Sequence, residues 1–392
     1  MTSSPHSPAR AKYVRDFLQA HRLKAWLAWR PDELVMLSGY ATFWGASFLL
    51  YFAEADPVLF VPVLEPRDNI PGGLIVHEYP WGDLKCSDPF AVLIDAIRVE
   101  LNKAGVARAQ TGMLRSASRS ALPIQAAEQI PIPELFWEQL SAVIAKPNPN
   151  AETAFLDLYL KKTTEEVKAI RLANRVAGIG IKAFHESLTP EISEVEIAAA
   201  IETAIQKQIG QDEIFHARGW AMVQSGPNSA DSGKFNRSTG RKLQSGDLVL
   251  LELATCVNGY WSDLTRTAPL GELKPQLTEL FSIVSEAQQA ALAKVRPGVA
   301  AGEVDAAARD IIAGLSQYFT HGTGHHVGFR YHDPGFGLVP GQKEKLAAGM
   351  IITIEPGAYV PQYGGGVRIE DNVLVTDSGY EILSRDSRTP LA

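Results

Sequence analysis

Cysteine is almost absent: Cys86 and Cys256 are the only two in 392 residues. That excludes a disulfide framework, leaves at most one bridge, and makes free thiols in a reducing compartment the expectation. No stretch approaches the roughly 18 apolar residues of a membrane span, and the start MTSSPHSPARAKYV has no apolar core of a secretory leader. A cytoplasmic chain with no membrane contact is expected. An excess of one charge is missing too. The 37 basic and 44 acidic residues leave a net charge of -7 with no basic stripe, which excludes a nucleic-acid partner and points to a small substrate. Histidine is absent between His216 and His321.

A chain of this length that is 46% hydrophobic can bury a large core and divides into two domains, or three. Residues 12–145 alternate strand-like runs, Leu34–Leu37 and Pro57–Leu64, with helical stretches, Tyr13–Ala20 and Phe90–Asn102, as an α/β domain does. The Pro/Asn-rich segment Lys146–Asn150 reads as a linker, giving an amino-terminal domain over 1–148 and a second domain over 152–392. Thr163, followed by Glu165 and Glu166, supplies the cap and first-turn acids of a helix running to about Leu188. The phrases EVEIAAAIETAI, from Glu194, and EVDAAARDIIAG, from Glu303, suggest an internal duplication, each following a longer helix and preceding β segments that bear acids or histidines. Two similar α/β halves would then face each other across a pseudo-twofold axis.

The most informative stretch is LELATCVNGYWSDLTRT, where Asn258-Gly259 between strand-like runs predicts a type I′ hairpin. Counting outward pairs Val257 with Tyr260, Thr255 with Ser262 and Ala254 with Asp263. Glu252 and Asp263 therefore share a face as diagonal neighbours, with backbones roughly 7–8 Å apart. Two acids in an apolar run repel each other and resist desolvation unless a cation lies between them. Glu355, closing GMIITIEPG, and Glu370, in GGGVRIEDNVLV, pose the same problem downstream. Between the hairpin and these acids lies HGTGHHVGFRYHD, whose Gly322, Gly324 and Gly328 favour loop or strand over helix around His321, His325, His326 and His332. One strand Glu is ordinarily a solvated residue and one His a packed one; four acids in apolar runs beside a glycine-framed His cluster point to one site. Carboxylates joined by imidazole form a hard, oxygen-rich set suited to Mn, Fe, Co or Zn.

In its order Glu252, Asp263, His325, Glu355, Glu370, and in the phrases SDLTRT, HGTGHHVG, IEPG and GVRIEDN, the chain resembles the pita-bread metallohydrolases: prolidase, aminopeptidase P, methionine aminopeptidase and the metal-free relative creatinase. The likeness is strong over residues 155–385 and weaker over 10–140, where LAWRPDELVMLSGY and FLLYFAEADPVLFVPV look like the amino-terminal domain of the longer members. It implies an α/β (α+β) fold, with a creatinase-like amino-terminal domain before a pita-bread domain of two pseudo-symmetric halves. It implies that Glu252, Asp263, His325, Glu355 and Glu370 hold two divalent ions, with Glu355 doubling as general base. His321 and His332 would line the substrate side, and Arg368 would support the last ligand or a substrate carboxylate. It also implies a homodimer.

Two departures qualify the likeness. Metal-binding members have Asp where this chain has Glu252, one methylene longer, so one metal subsite is expected weak or empty. The peptidases carry a His in the loop before the first metal strand, and SGPNSADSGKFNRSTGRKLQSGD has none. The leading expectation is a metal-dependent Xaa-Pro dipeptidase or aminopeptidase acting on small peptides. A creatinase-like hydrolase of a small non-peptide C–N bond, with one metal or none, stays open, as does a noncatalytic binding module.

Overall fold

The computed structural model describes residues 7–43, 47–115, 134–145, 148–231 and 237–385. It divides into two compact units, Met1–Tyr159 and Leu160–Ala392.

In the first unit the elements are α1 (Pro8–Ala20), β1 (Ala25–Ala28), α2 (Pro31–Ser38), β2 (Phe48–Phe52), β3 (Val58–Pro62), β4 (Ile75–Tyr79), α3 (Pro89–Lys103), β5 (Thr111–Met113), α4 (Glu134–Leu140) and α5 (Pro149–Leu156). The strands form one mixed sheet in the order β4-β3-β2-β1-β5. Its core joins Leu27, Leu50 and Phe60 of the sheet to Leu93 and Ile97 of α3. The strand expected over Pro57–Leu64 is β3, but Leu34–Leu37 is helical. Pro31 opens that helix, Glu33 accepts from the Trp29 and Arg30 amides ahead of it, and Gly39 closes it in the left-handed conformation. End signals outweigh a short apolar run that fits either period. Of the expected linker, Lys146 and Pro147 lie outside the described residues. The unit boundary falls after it: Phe155 of α5 stacks on Trp26 with ring centroids 4.2 Å apart, which ties the residues after Asn148 to the first unit.

The second unit runs α6 (Thr164–Ser187), α7 (Glu194–Gln206), β6 (Ala217–Ser225), β7 (Asp247–Val257), β8 (Tyr260–Leu270), α8 (Pro275–Leu292), α9 (Ala301–Ile312), β9 (Ile351–Ile354), β10 (Gly357–Val360), β11 (Gly365–Arg368), β12 (Asp371–Val375) and β13 (Tyr380–Ile382). Thr163 caps α6 by accepting from the Glu166 amide, as its sequence indicates. Each half has two helices and antiparallel strands: α6 and α7 with the sheet β6-β7-β8, then α8 and α9 with β13-β12-β9 and the β10-β11 ribbon. Each half has its own apolar core, around Ile181, Ile201 and Leu251 in one and Leu280, Val304 and Ile352 in the other. Between the halves, the Thr267 hydroxyl donates to the Arg368 carbonyl at 2.9 Å, and the Glu370 amide donates to the Thr265 carbonyl at 3.1 Å. Among the described residues no helix is long and apolar enough to cross a membrane, and both cysteines are free thiols.

Candidate metal centre

Asn258 and Gly259 both adopt positive φ, 51° and 87°, as a type I′ turn requires. The register then pairs Val257 with Tyr260, Thr255 with Ser262, Ala254 with Asp263 and Glu252 with Thr265. Glu252 and Asp263 are thereby diagonal neighbours on one face, both buried. From the other half, β9 delivers Glu355 just beyond its last residue, and the β11–β12 junction delivers Glu370. The glycine-rich segment carrying His325 is threaded against β9: the His325 amide donates to Thr353 Oγ1 at 3.0 Å and its carbonyl accepts from the Thr353 amide at 2.8 Å. A Cβ on Gly324 would lie 2.0 Å from the Thr353 carbonyl oxygen, so only glycine permits that approach.

All five expected ligands therefore come together. Three overlapping groups, Asp263–His325–His332, His325–Glu355–Glu370 and Glu252–Asp263–Glu370, each have their ligand atoms within 4.8 Å of one another. The polarity of the site fits a cation. His325 Nδ1 lies 2.9 Å from the His326 carbonyl and must carry the proton there, which leaves Nε2 a bare lone pair. That lone pair faces Asp263 Oδ2 at 3.3 Å and Glu355 Oε1 at 3.5 Å, acceptor against acceptor. Burial, then the neighbouring His332, lowers the His325 pKa to about 3, so the imidazole itself takes up no second proton near neutral pH. Asp263 Oδ1 and Glu370 Oε1 are buried without a hydrogen-bond partner. Burial, reinforced by the other acids, pushes both groups well above the usual carboxylate range. Burial lifts Glu355 to about 8, Arg368 opposing and Glu252 adding to the rise. A divalent ion would satisfy the lone pair and the orphaned oxygens together.

Glu252 is different. Burial would raise its pKa, but Arg368 and hydrogen bonds from Thr265, Tyr331 and Arg368 hold it at about 2. Arg368 donates to Glu252 Oε2 through Nη2 at 2.5 Å, to Thr265 Oγ1 through Nε at 2.9 Å, and to the Tyr359 hydroxyl through Nη1 at 2.7 Å. It is linked to Glu370 by way of Thr265, whose Oγ1 lies 2.8 Å from Glu370 Oε2. His321 closes this chain. Its Nδ1 lies 2.8 Å from the Gly322 carbonyl, so its Nε2 accepts from the Tyr359 hydroxyl at 2.8 Å. His332 is exposed, its ring centroid 4.2 Å from that of His325.

Several partners escape a reading of the sequence. Thr265 was within reach, since the hairpin register places it opposite Glu252. Asn372 locks the Asp263 backbone from both sides, accepting from its amide at 3.1 Å and donating to its carbonyl at 2.6 Å. Neither this contact nor that of Tyr331 carries a local signal, because their partners lie far away in the chain; Tyr359 and Arg368 are nine residues apart on the paired strands β10 and β11.

Two α/β halves holding buried carboxylates and imidazoles between them, in this chain order, define a metal-dependent hydrolase of the pita-bread class. The model of metallopeptidase family M24 matches residues 168–377. The chain is 30% identical to the Xaa-Pro dipeptidase of Lactobacillus helveticus over 386 residues, 94% of this chain and 96% of that protein. With the Xaa-Pro dipeptidase of Pyrococcus furiosus it shares 36% identity over 235 residues, 59% of this chain and 65% of that one. The solved prolidase of Pyrococcus horikoshii OT3 superposes with a TM-score of 0.73 at 28% identity, over 96% of this chain and 98% of that structure. The chain belongs to metallopeptidase family M24.

Proposed function

We propose that this chain is an Xaa-Pro dipeptidase-type hydrolase of small peptides that works with divalent metal at the Asp263, His325, Glu355 and Glu370 cluster. The observation that carries the reading is the convergence of the bare His325 Nε2 with the orphaned oxygens of Asp263 and Glu370, an arrangement that calls for a cation. When bound, such an ion lowers the pKa of a water and polarises a carbonyl.

The side chains supply the rest. Glu355 lies at the rim of the cluster, part-exposed, where its carboxylate can take a proton from a water held there, the task of a general base. His332, exposed beside His325, is placed to donate to a substrate oxygen as charge develops there. Tyr359, which joins His321 to Arg368, also lines a cavity of about 450 Å³ together with Pro227, Ala230, Tyr318, Thr320 and Pro361. That volume suits a small substrate. The names of the similar dipeptidases support proline as the residue after the scissile bond.

The test is release of proline from a panel of Xaa-Pro dipeptides by chelator-treated protein, with and without added Mn, Zn, Co or Fe. Metal-restored turnover is expected; no activity on any peptide with any metal overturns the reading. Hydrolysis of a non-peptide C–N bond is the second reading, favoured by the engagement of Glu252 with Arg368. Metal-independent turnover of a guanidino compound would establish it instead.

A further inference from the structure

We propose that Glu252 is not a metal ligand in this protein: Arg368, Thr265 and Tyr331 hold its carboxylate, and the centre takes one divalent ion, in the Asp263–His325–Glu355–Glu370 set. The inference rests on the metallopeptidase reading and narrows it.

An ionised carboxylate offers about four lone-pair positions. At Glu252 three are in use. Oε2 accepts from Arg368 Nη2 at 2.5 Å and from the Thr265 hydroxyl, and Oε1 accepts from the Tyr331 hydroxyl. Asp263 and Glu370, by contrast, each keep an oxygen with no partner at all. A cation is called for on one side of the cleft and is already present on the other. The guanidinium of Arg368 is that cation, buried and ion-paired with Glu252. Drawing Glu252 onto a second metal would bring a dication beside the guanidinium and remove its counter-charge, a desolvated arrangement that costs heavily.

Thr265 sharpens the asymmetry. Its one hydroxyl proton lies within reach of both Glu252 Oε2 and Glu370 Oε2, and it can serve only one of them. While it serves Glu252, Glu370 loses its donor and is left to the metal. Tyr331 is the residue that makes the hold complete. It reaches Glu252 from the segment that also carries His325 and His332, so the site itself supplies the third donor. The extra methylene of Glu252 then has a physical role: it carries the carboxylate to donors on both flanks of the cleft. Tyr331 and Arg368 act here as positioning residues.

The experiment is metal stoichiometry, independent of turnover. Chelator-stripped protein is titrated with Mn while bound ions per chain are measured by calorimetry and their magnetic coupling by electron paramagnetic resonance. One magnetically isolated Mn per chain is expected. Two ions per chain with an exchange-coupled signal overturn this inference and leave the peptidase reading standing; no bound ion overturns both. In the same titration Glu252→Gln, which keeps the shape, should still bind one ion with its Kd within about threefold of the parent. Asp263→Asn should weaken binding at least about 10-fold, the scale of losses around metal ligands. A loss in Glu252→Gln as large as in Asp263→Asn would show that the glutamate ligates after all. Should Glu252→Gln not fold, Tyr331→Phe replaces it: a first ion with a parent-like Kd is expected, and a first ion bound about 10-fold more weakly overturns the assignment.

Discussion

Glu252 and Asp263 share one hairpin face, yet their surroundings set them to opposite charge states. Arg368 and two hydroxyls keep Glu252 ionised, while burial among other acids drives Asp263 toward the neutral form until a cation arrives. What decides the state of a buried acid is the partner within about 3 Å, not its own pKa. Glu33 in the first unit, away from the site, shows the opposite balance, burial prevailing over nearby partners. Burial, then Asp32, raises it to about 7 against the opposing pull of Arg30 and the amides it accepts from. Between the unfolded value of about 4.3 and the folded value the native state holds a proton that the unfolded chain has released. Stability therefore falls as pH rises through that window and levels off above 7. Glu33→Gln removes the titration. The stability difference between variant and parent should move in the variant's favour by about 3 kcal/mol from pH 4 to pH 8, because each pH unit between the two values is worth about 1.36 kcal/mol. Denaturant unfolding at the two pH values measures it, and a difference that stays constant with pH would show that Glu33 titrates normally.

Among the elements, the hairpin and the glycine-framed histidine segment place the site, and they were legible to different degrees. The β7–β8 register follows from Asn258 and Gly259 alone, because a two-residue I′ turn leaves no choice of pairing. The histidine segment was legible only as non-helical; that it docks against β9 through Thr353 depends on a partner more than twenty residues downstream. Leu34–Leu37 shows the limit of a short apolar run, which is strand-like by composition and helical by its caps. Gly324→Ala tests the docking. The added Cβ would meet the Thr353 carbonyl oxygen at 2.0 Å, a backbone atom that cannot rotate away. A loss at or above the upper end of the ~1–3 kcal/mol range for overpacking is expected, with weakened metal binding as His325 moves from Glu355. A denaturation midpoint and Mn affinity equal to the parent's would show that the segment yields freely.

At the scale of the molecule, metal should stabilise the unit that binds it. Mn at 100 times its Kd adds about 2.7 kcal/mol to unfolding of the ligand-binding state. Calorimetric scans with and without Mn should show the effect in the parent and lose about half of it or more in Asp263→Asn, whose Kd is at least about 10-fold weaker; equal shifts in both would place the bound metal elsewhere. The resemblance to longer pita-bread members predicts a homodimer, so light scattering should give about twice 42.6 kDa, and a monomer would remove that inference.

The sequence by itself determined the α/β class, the hairpin register, the four acids and a glycine-framed histidine cluster, because each rests on local chemistry: a turn that demands positive φ, helix caps, and charges inside apolar runs; the choice of His325 within that cluster came from the family resemblance. Only the tertiary structure decided which acids are orphaned and which are already paired. The Arg368–Glu252 contact, the Tyr331 hydroxyl and the Asn372 lock on Asp263 all join segments distant in the chain, and sequence periodicity carries no information about groups brought together by the packing of two separate halves. The unit boundary after Tyr159 was likewise settled by the stacking of Phe155 on Trp26, a contact that a Pro/Asn-rich stretch does not foretell.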